Sequence, residues 1–216
     1  ILGRLVGSEM CIRDRVSDSI AIDLIHGYYA TVSYSDALVG KILDALKEQG
    51  LDKNTIVVLV ADHGYNLQEH TQWAKFTNYN TSTQVPLIIY NPLANATGST
   101  DALAALVDVY PTLAEICALK PPTGQLDGTS LVAVMSNPKS EGKKHVFIKR
   151  GKGFTLKTKD FSYTEFIRPT DNTTVASMLY DHRSNKDENV NVANQKEFAD
   201  VVLELKLSLI HISEPT

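Results

Sequence analysis

One segment constrains the fold of this chain more than any other. It is an apolar, β-branched run, TIVVLVA at residues 55–61, which is directly followed by Asp62-His63-Gly64. A continuous run of this kind is typical of a strand buried on both faces of a parallel sheet, with helices on either side. The sequence therefore predicts an α/β fold in which an acid and an imidazole follow the carboxyl end of a strand.

The residues on both sides of this run favour the same class of fold. Residues 26–49 are predicted to form a helix, because Leu38, Ile42 and Leu46 recur at every fourth position. A short turn leads from this helix into the strand, and VPLIIY at residues 85–90 predicts a second strand. The order helix, tight turn and buried strand is typical of the second half of a right-handed crossover unit.

The following apolar segments predict one more strand and one more helix. Residues 102–107 are predicted to form the strand, and Asp108 is predicted to cap a helix at Val109–Ala118. Cys117 lies in the apolar pattern of this helix and is interpreted as a small buried hydrophobic residue. We assign residues 17–140 to the α/β region, a partial parallel-type sheet with flanking helices.

Beyond residue 140 the pattern changes to short strands followed by a helix. The turn at Thr158–Asp160 predicts a hairpin, and residues 195–206 predict a terminal helix. We assign residues 141–206 to a small carboxy-terminal subdomain with an antiparallel sheet and a helix. The predicted strands are Lys143–Arg150, Phe154–Lys157, Phe161–Ile167 and Met178–Tyr180.

The two ends of the chain are interpreted as translated sequencing adapter. The segment SEMCIRD near the start and LSLIHIS near the end can be encoded by one DNA segment read from opposite strands, over roughly seven codons. Residues 1–16 and 207–216 are therefore left out of the fold prediction. Cys11 falls in the first of these segments and is not considered a functional residue.

Composition excludes some classes of function. The formal net charge is −4, which does not favour nucleic-acid binding, because such binding requires a basic patch. No apolar run reaches the roughly 18 residues needed to span a membrane.

The residues after the first strand have the types that an anion-handling metal site requires. Ligands bind at the carboxyl ends of strands in open parallel sheets. Asp62 can ligate a cation, His63 can ligate or donate a hydrogen bond, and Lys75 can neutralise a bound anion. Gly64 is expected to give the backbone the freedom to turn sharply. Asp62, His63 and Lys75 also have simpler interpretations, which are a turn former, a loop histidine and a solvated surface lysine, respectively.

Three further residues of the long loop at 62–84 are candidates for contacts around this site. Glu69 and His70 can support the ligands or pair with each other, and Trp73 can pack within the loop or stack on a sugar. Long loops in compact domains are often functional, which is why these residues are retained as candidates.

The motifs resemble those of the sulfatases, in the alkaline-phosphatase-like superfamily, and most closely the iduronate-2-sulfatase-like branch. In that branch a helix and an apolar strand precede D-H-G, then L-G-E-H-x-x-W-x-K and a V-P-L-I-I strand. Residues 107–132, FTLKTKDFSYTEF and MLYDHRSNKDENVNVA resemble later parts of the same enzymes. The resemblance covers residues 20–206 and implies a sulfatase-like fold.

The resemblance also implies roles for particular residues. Asp62 and His63 match two metal ligands of the family, and Lys75 matches the lysine that contacts the sulfate. The metal is usually calcium, with manganese or magnesium as the alternative. Gln68 and Thr71 stand where the family has glycine, and Gln68 costs about 1 kcal/mol if its φ is positive.

Several parts of the family's site are absent from this sequence. The resemblance implies a nucleophile in a C/S-x-P-S-R motif that is converted to formylglycine, and none occurs here. The amino-terminal aspartate pair of the family's metal site is missing too. We therefore expect the chain to be an inactive carboxy-terminal fragment of a sulfuric ester hydrolase.

The implied substrate of the full-length parent is a sulfated polysaccharide or oligosaccharide, and the family implies a periplasmic, secreted or lysosome-like location. The alternatives are a phosphoesterase or phosphonate hydrolase of the same superfamily, and a homologue that binds sulfated glycans without turnover.

Overall fold

The computed structural model of the chain describes residues 16–94, 97–122 and 124–213. Contacts group these residues into two units. The first unit contains the described residues through Thr77 together with Thr81–Leu93, and the second contains Asn78–Asn80 and the described residues from Ala94 onward. No helix in the described part of the chain combines the length and apolar character needed to cross a membrane.

The first unit begins with a long helix, α1, at Asp18–Glu48. The helix starts before the predicted residue 26, because the side chain of Ser17 accepts a hydrogen bond from the backbone N–H of Ile20 and so caps the first turn. It ends where expected, and Gly50 follows with a φ of +70°, a conformation that favours glycine after a helix.

The chain after α1 forms short elements around one long loop. They are strand β1 (Val57–Val60), strand β2 (Asn66–Leu67), a 3-10 turn (Glu69–Thr71), strand β3 (Trp73–Ala74), the one-turn helix α2 (Asn80–Thr83) and strand β4 (Leu87–Tyr90).

The predicted parallel pairing is wrong for strands β1 and β4. They pair antiparallel, with Val57 opposite Tyr90 and Val60 opposite Leu87. The reason is that β4 starts at the same end at which β1 stops, so the loop returns the chain without a crossover. Neither strand is buried on both faces, since Val60, Ile88 and Tyr90 are exposed.

The predicted strand at residues 102–107 is wrong as well. Leu103 makes only an isolated bridge to Lys143, and Leu106–Asp108 forms a 3-10 turn. The carboxylate of Asp108 accepts a hydrogen bond of 2.8 Å from the backbone N–H of Ala105, which holds the chain in this turn instead of an extended strand.

Helix α3 (Val109–Ile116) and the short helix α4 (Val132–Ser136) follow in the second unit. Asp108 does not cap α3 through its side chain; instead its buried carboxylate pairs with the Lys143 ammonium at 2.6 Å. Cys117 is exposed and not buried as predicted, because it follows the last residue of α3 and lies off the buried face. That face is formed by Pro111, Thr112 and Ala114.

The predicted antiparallel sheet and terminal helix are confirmed. The sheet contains strands β5 (Val146–Arg150), β6 (Gly153–Lys157), β7 (Phe161–Ile167) and β8 (Thr174–Asp181) in that order, and helix α5 (Ala199–Ser213) packs on it after a 3-10 turn at Lys196–Phe198. Buried side chains of the sheet and of α5, together with one residue of the loop between β8 and α5, form the core. Its members are Leu156, Tyr163, Leu179, Val192, Leu205 and Leu209.

Helix α5 continues into the carboxy-terminal segment that is interpreted as translated adapter, residues 207–216, and Leu209 is buried in the core. The packing of a segment does not show which DNA encoded it, so the interpretation of residues 207–216 as translated adapter stays a prediction. Residues 1–15 of the other terminal segment lie outside the described residues. The predicted domain boundary at residue 140 also stays a prediction.

Candidate functional site

Asp62 and His63 lie just past the end of β1 and are joined by a local hydrogen bond. The backbone N–H of His63 donates to Oδ1 of Asp62 at 3.0 Å. Such a bond is typical of aspartate in turns. It turns the carboxylate toward the next residue, while the side chain of Asp62 stays 85% exposed and able to meet a ligand from solution.

The ring of His63 is oriented by its own neighbour. Its Nδ1 lies 2.8 Å from the carbonyl oxygen of Gly64. A carbonyl can only accept, so Nδ1 carries the proton and Nε2 presents a lone pair. Metal-binding histidines are commonly fixed in this way, with one nitrogen donating to a carbonyl and the other free to bind.

The three residues predicted to form the site meet at this Nε2 atom. Nε2 of His63 lies 3.4 Å from Oδ2 of Asp62 and 2.6 Å from Nζ of Lys75. The lysine therefore donates a hydrogen bond to the imidazole. A carboxylate, a neutral imidazole and an ammonium thus converge within the first unit, as the sequence predicts.

Gly64 is required for a different reason from the one that the sequence suggested. Its φ is not positive, so the turn does not depend on glycine's conformational freedom. A Cβ atom at this position would instead lie 2.1 Å from the carbonyl oxygen of Thr81, which is closer than any real contact. The N–H of Gly64 donates to the carbonyl of Ser82 at 2.9 Å, so two backbone segments touch here.

Asn66 is part of the site region, although it is not among the residues predicted from the sequence. Its side chain is fully buried, and its amide nitrogen lies 2.6 Å from the carbonyl of Ala74 and 2.7 Å from Oγ of Ser82. The same nitrogen lies 3.3 Å from Oγ1 of Thr77, and its Oδ1 accepts a hydrogen bond from the hydroxyl of Thr81. An asparagine in a polar loop gives no sequence signal of such burial.

The condition under which Gln68 is expected to cost free energy, a positive φ, is met in the loop. Gln68 has a φ of +89° and Thr71 has a φ of +59°. Both residues stand where the family that the sequence resembles has glycine. His70 and Ala74 also have positive φ, at +52° and +68°. Clusters of such residues are characteristic of functional loops, because the surrounding structure must hold them in place.

The other candidate residues of the loop lie in this strained segment. The carboxylate of Glu69 accepts a hydrogen bond from the backbone N–H of Leu67. Trp73 is half-buried in β3, opposite Leu67. The predicted contacts of Glu69, His70 and Trp73 around a metal remain predictions.

The donor set fits part of a divalent metal site. Oδ2 of Asp62 and Nε2 of His63 lie 3.4 Å apart, and a carboxylate oxygen and an imidazole nitrogen are both donor types that divalent metals bind. Among residues 16–94, 97–122 and 124–213, no group of three or more acidic, histidine or cysteine side chains could hold a metal. The chain therefore offers two adjacent donors.

Comparison with known proteins identifies the class to which this fold and site belong. The family model described as Sulfatase matches residues 9–117, and the model described as N-sulphoglucosamine sulphohydrolase, C-terminal, matches residues 68–214. The chain belongs to the sulfatase family, whose members generally use a divalent metal and a formylglycine.

Curated relatives are sulfatases from bacteria and vertebrates. A sulfatase from Formosa agariphila is 32% identical over 86% of this chain and 36% of its own length. Arylsulfatase K from Bos taurus is 31% identical over 77% of the chain and 32% of its length. Iduronate 2-sulfatase from Mus musculus is 35% identical over 44% of the chain and 22% of its length. The chain thus spans about a third of the first two relatives.

A solved structure gives the same assignment. A protein determined in complex with its substrate D-glucosamine-2-N,6-O-disulfate is 27% identical to this chain, with a TM-score of 0.77. The match covers 86% of this chain and 39% of that protein. This likeness confirms the mixed α/β fold with a four-stranded antiparallel sheet and helix at the carboxy-terminal end.

Proposed function

We propose that this chain is the carboxy-terminal part of a sulfatase that hydrolyses sulfate esters of glycans, and that it supplies two metal ligands and one sulfate-binding group. The observation that carries the proposal is the convergence of Asp62 and Lys75 on Nε2 of His63. Opposite charges that meet at a neutral ligand atom suit a site in which a cation and an anion bind side by side.

The roles follow from the chemistry of each group. Oδ2 of Asp62 and Nε2 of His63 would hold a divalent metal, with Ca²⁺ proposed and Mn²⁺ or Mg²⁺ as alternatives. The bound metal supplies positive charge that stabilises the negative charge on the sulfate during ester cleavage. Asp62 also offsets the charge of the metal, since it contributes the only carboxylate among these three side chains.

Lys75 has a second partner in this proposal. Its ammonium donates to the lone pair of His63 Nε2 in the structure. If Nε2 of His63 held a metal, the Lys75 ammonium would be free to donate to a sulfate oxygen. The same residue thus holds the site together in the absence of ligand and neutralises the anion when ligand binds.

The proposed substrate is a sulfated polysaccharide or oligosaccharide. The solved relative was determined with a disulfated glucosamine, and this supports a sugar sulfate for the present chain as well. Within the family we propose the iduronate-2-sulfatase-like branch, because the D-H-G and W-x-K motifs occur here at its spacing. The mouse enzyme's match supports that branch, although the match to arylsulfatase K covers more of the chain.

The full-length parent enzyme provides the test. Lys75→Ala and Asp62→Ala are each expected to lower kcat/KM on a sulfated disaccharide by about a hundredfold or more, because each removes charge stabilisation at the reacting group. The control is Lys53→Ala, an exposed lysine that lies before β1, which should leave the rate unchanged.

The same assay separates the alternatives. Aryl sulfate and aryl phosphate esters are compared as substrates of the unmodified parent, and a preference for phosphate would replace the proposal with a phosphoesterase. Binding of the sulfated disaccharide without turnover would favour a glycan-binding homologue. The 216-residue chain alone is expected to show no turnover, because it has no C/S-x-P-S-R motif.

A further inference from the structure

A buried asparagine lies at the base of the loop that carries the candidate site. Asn66 is completely shielded from solvent, although its neighbours in sequence belong to a polar, partly exposed loop. A buried amide is unfavourable unless each of its polar atoms has a partner. Here both ends of the amide are bonded, which indicates that the loop is built around this side chain.

The partners of Asn66 are adjacent in sequence to the site residues. Its amide nitrogen donates to the carbonyl of Ala74 at 2.6 Å, and Ala74 directly precedes Lys75. The same nitrogen lies 2.7 Å from Oγ of Ser82, and the carbonyl of Ser82 accepts the N–H of Gly64, which directly follows His63. One side chain therefore links the segment that carries the lysine to the segment that carries the histidine.

The bond to Ala74 matters because Ala74 has a strained backbone. Its φ is +68°, a conformation that is unfavourable for a non-glycine residue. Strained residues persist only where surrounding contacts hold them. The direction in which Lys75 leaves the backbone depends on the conformation of the residue before it, so the contact that holds Ala74 also directs Lys75.

We propose that Asn66 is a positioning residue that sets the Lys75 ammonium against Nε2 of His63. Its role in sulfate binding rests on the proposed function. The geometric claim does not, because it concerns only the distance between two side chains of this chain. A purely structural asparagine would stabilise the loop without deciding whether Lys75 reaches His63.

The chemical reactivity of His63 tests the claim directly. Diethyl pyrocarbonate acylates the lone-pair nitrogen of a neutral imidazole, and in His63 this is the nitrogen that Lys75 covers. The intact 216-residue chain is treated in dilute solution at about pH 8, where histidine is mostly neutral. Mass spectrometry of the peptides then gives the acylation rate of each histidine. Exposed His26 and His145 serve as internal references.

Two variants of Asn66 are compared with two reference variants. Asn66→Asp keeps the shape and the acceptor for Thr81 but loses the amide donor to Ala74, and Asn66→Ala loses all contacts. Lys75→Met sets the rate of an uncovered His63. Ser82→Ala removes one partner of Asn66 and keeps its bond to Ala74.

We expect both Asn66 variants to raise the rate at His63 by about fivefold, toward the Lys75→Met value, as for the loss of one hydrogen bond. Ser82→Ala should stay within about twofold of the unmodified chain, because it keeps the bond of Asn66 to Ala74 and the backbone hydrogen bond between Gly64 and residue 82. Hydrogen exchange of α1 and β7 should be unchanged in Asn66→Asp, which shows that the chain still folds.

Three results would overturn the proposal. One is an unchanged His63 rate in folded Asn66→Asp chains. The second is a general loss of amide protection in both Asn66 variants, because Asn66 would then be a folding residue. The third is an unchanged rate in Lys75→Met, because the lysine would then not cover the histidine. None of these results depends on sulfatase activity, so a parent enzyme that fails to cleave sulfate esters would refute the proposed function separately.

Discussion

The loop after β1 holds four non-glycine residues in left-handed backbone conformations within seven positions. They are Gln68, His70, Thr71 and Ala74. Each costs free energy that the unfolded chain does not incur, so the loop is less stable than its hydrogen bonds alone would make it. This strain lies next to the residues proposed to bind metal and sulfate, and it gives a test at the level of single side chains.

Replacement of Gln68 by glycine is expected to stabilise the chain. The φ of +89° is strained for glutamine and relaxed for glycine, while glycine adds entropy to the unfolded state. The net result should be a rise of about 0.5–1 kcal/mol in the free energy of unfolding, measured by chemical denaturation. The control is Gln72→Gly, where φ is −102° and the same exchange should destabilise. Equal effects at both positions would contradict the strain argument.

Replacement of Gly64 by alanine should have the opposite effect. The new Cβ would collide with the carbonyl of Thr81, whose position is fixed by the backbone. We expect a loss of at least about 2 kcal/mol in the free energy of unfolding. Gly27→Ala is the matched control, because no atom lies within 4 Å of a Cβ there and alanine favours the helix. A stability loss at residue 27 but not at residue 64 would refute the prediction.

A residue of the site can be predicted from the sequence only where the chemical type of its side chain indicates a function. Asp62, His63 and Lys75 are predicted to lie together because a carboxylate, an imidazole and an ammonium follow a buried-type strand in the order of a known motif, and their side chains do meet. Asn66 was not found, because its role depends on burial and on partners that lie up to 16 positions away along the chain. The steric need for Gly64 depends on the same kind of contact.

At the level of elements, β7 has the predicted bounds, Phe161–Ile167, because the turn at Thr158–Asp160 that precedes it is encoded locally. Pairing between distant strands is not encoded in this way. The apolar run at β1 is equally consistent with parallel and antiparallel neighbours, and the path of the loop decides between them. Helix α1 starts earlier than its apolar stripe because a cap, and not periodicity, sets its first residue.

The end of β8 gives a prediction for acid stability. The guanidinium of Arg183 makes two hydrogen bonds, of 2.8 and 2.7 Å, to the carboxylate of Asp181, and this lowers the pKa of Asp181 below its ordinary value. A carboxyl group whose pKa is lower in the folded state than in the unfolded state stabilises the fold at pH values above the unfolded pKa. That stability is lost as the pH falls through the folded pKa.

Arg183→Gln should therefore move the midpoint of acid unfolding to higher pH, as followed by circular dichroism. Arg168→Gln is the control, because the pKa of its exposed partner Asp171 is lowered mainly by the hydroxyl and N–H of Thr173 and only to a lesser degree by Arg168. If the midpoint shifts equally in both variants, overall charge and not the Asp181 pair sets the acid stability.

At the scale of the whole molecule, apolar surface is distributed unequally. The second unit has a core between its sheet and α5. Helix α1 has only one buried residue, Ala21. Its exposed large apolar side chains are Ile20, Ile22, Leu24, Tyr29, Val32, Tyr34, Leu38, Ile42 and Leu43. The chain spans about a third of its first relatives, and we infer that this helix packs against further protein in the parent enzyme.

The isolated chain should consequently self-associate through α1. Many exposed apolar side chains on one helix favour its association with other apolar surfaces, including those of a second copy. We expect size-exclusion chromatography with light scattering to show an apparent mass that rises with concentration. The double variant Ile22→Glu and Ile42→Glu, at two positions that are 65% and 68% exposed, should reduce this rise because it places charge on the helix surface. The control is Val190→Glu, at a 55% exposed valine outside α1. If the control reduces association as much as the double variant, the added charge and not the surface of α1 is responsible.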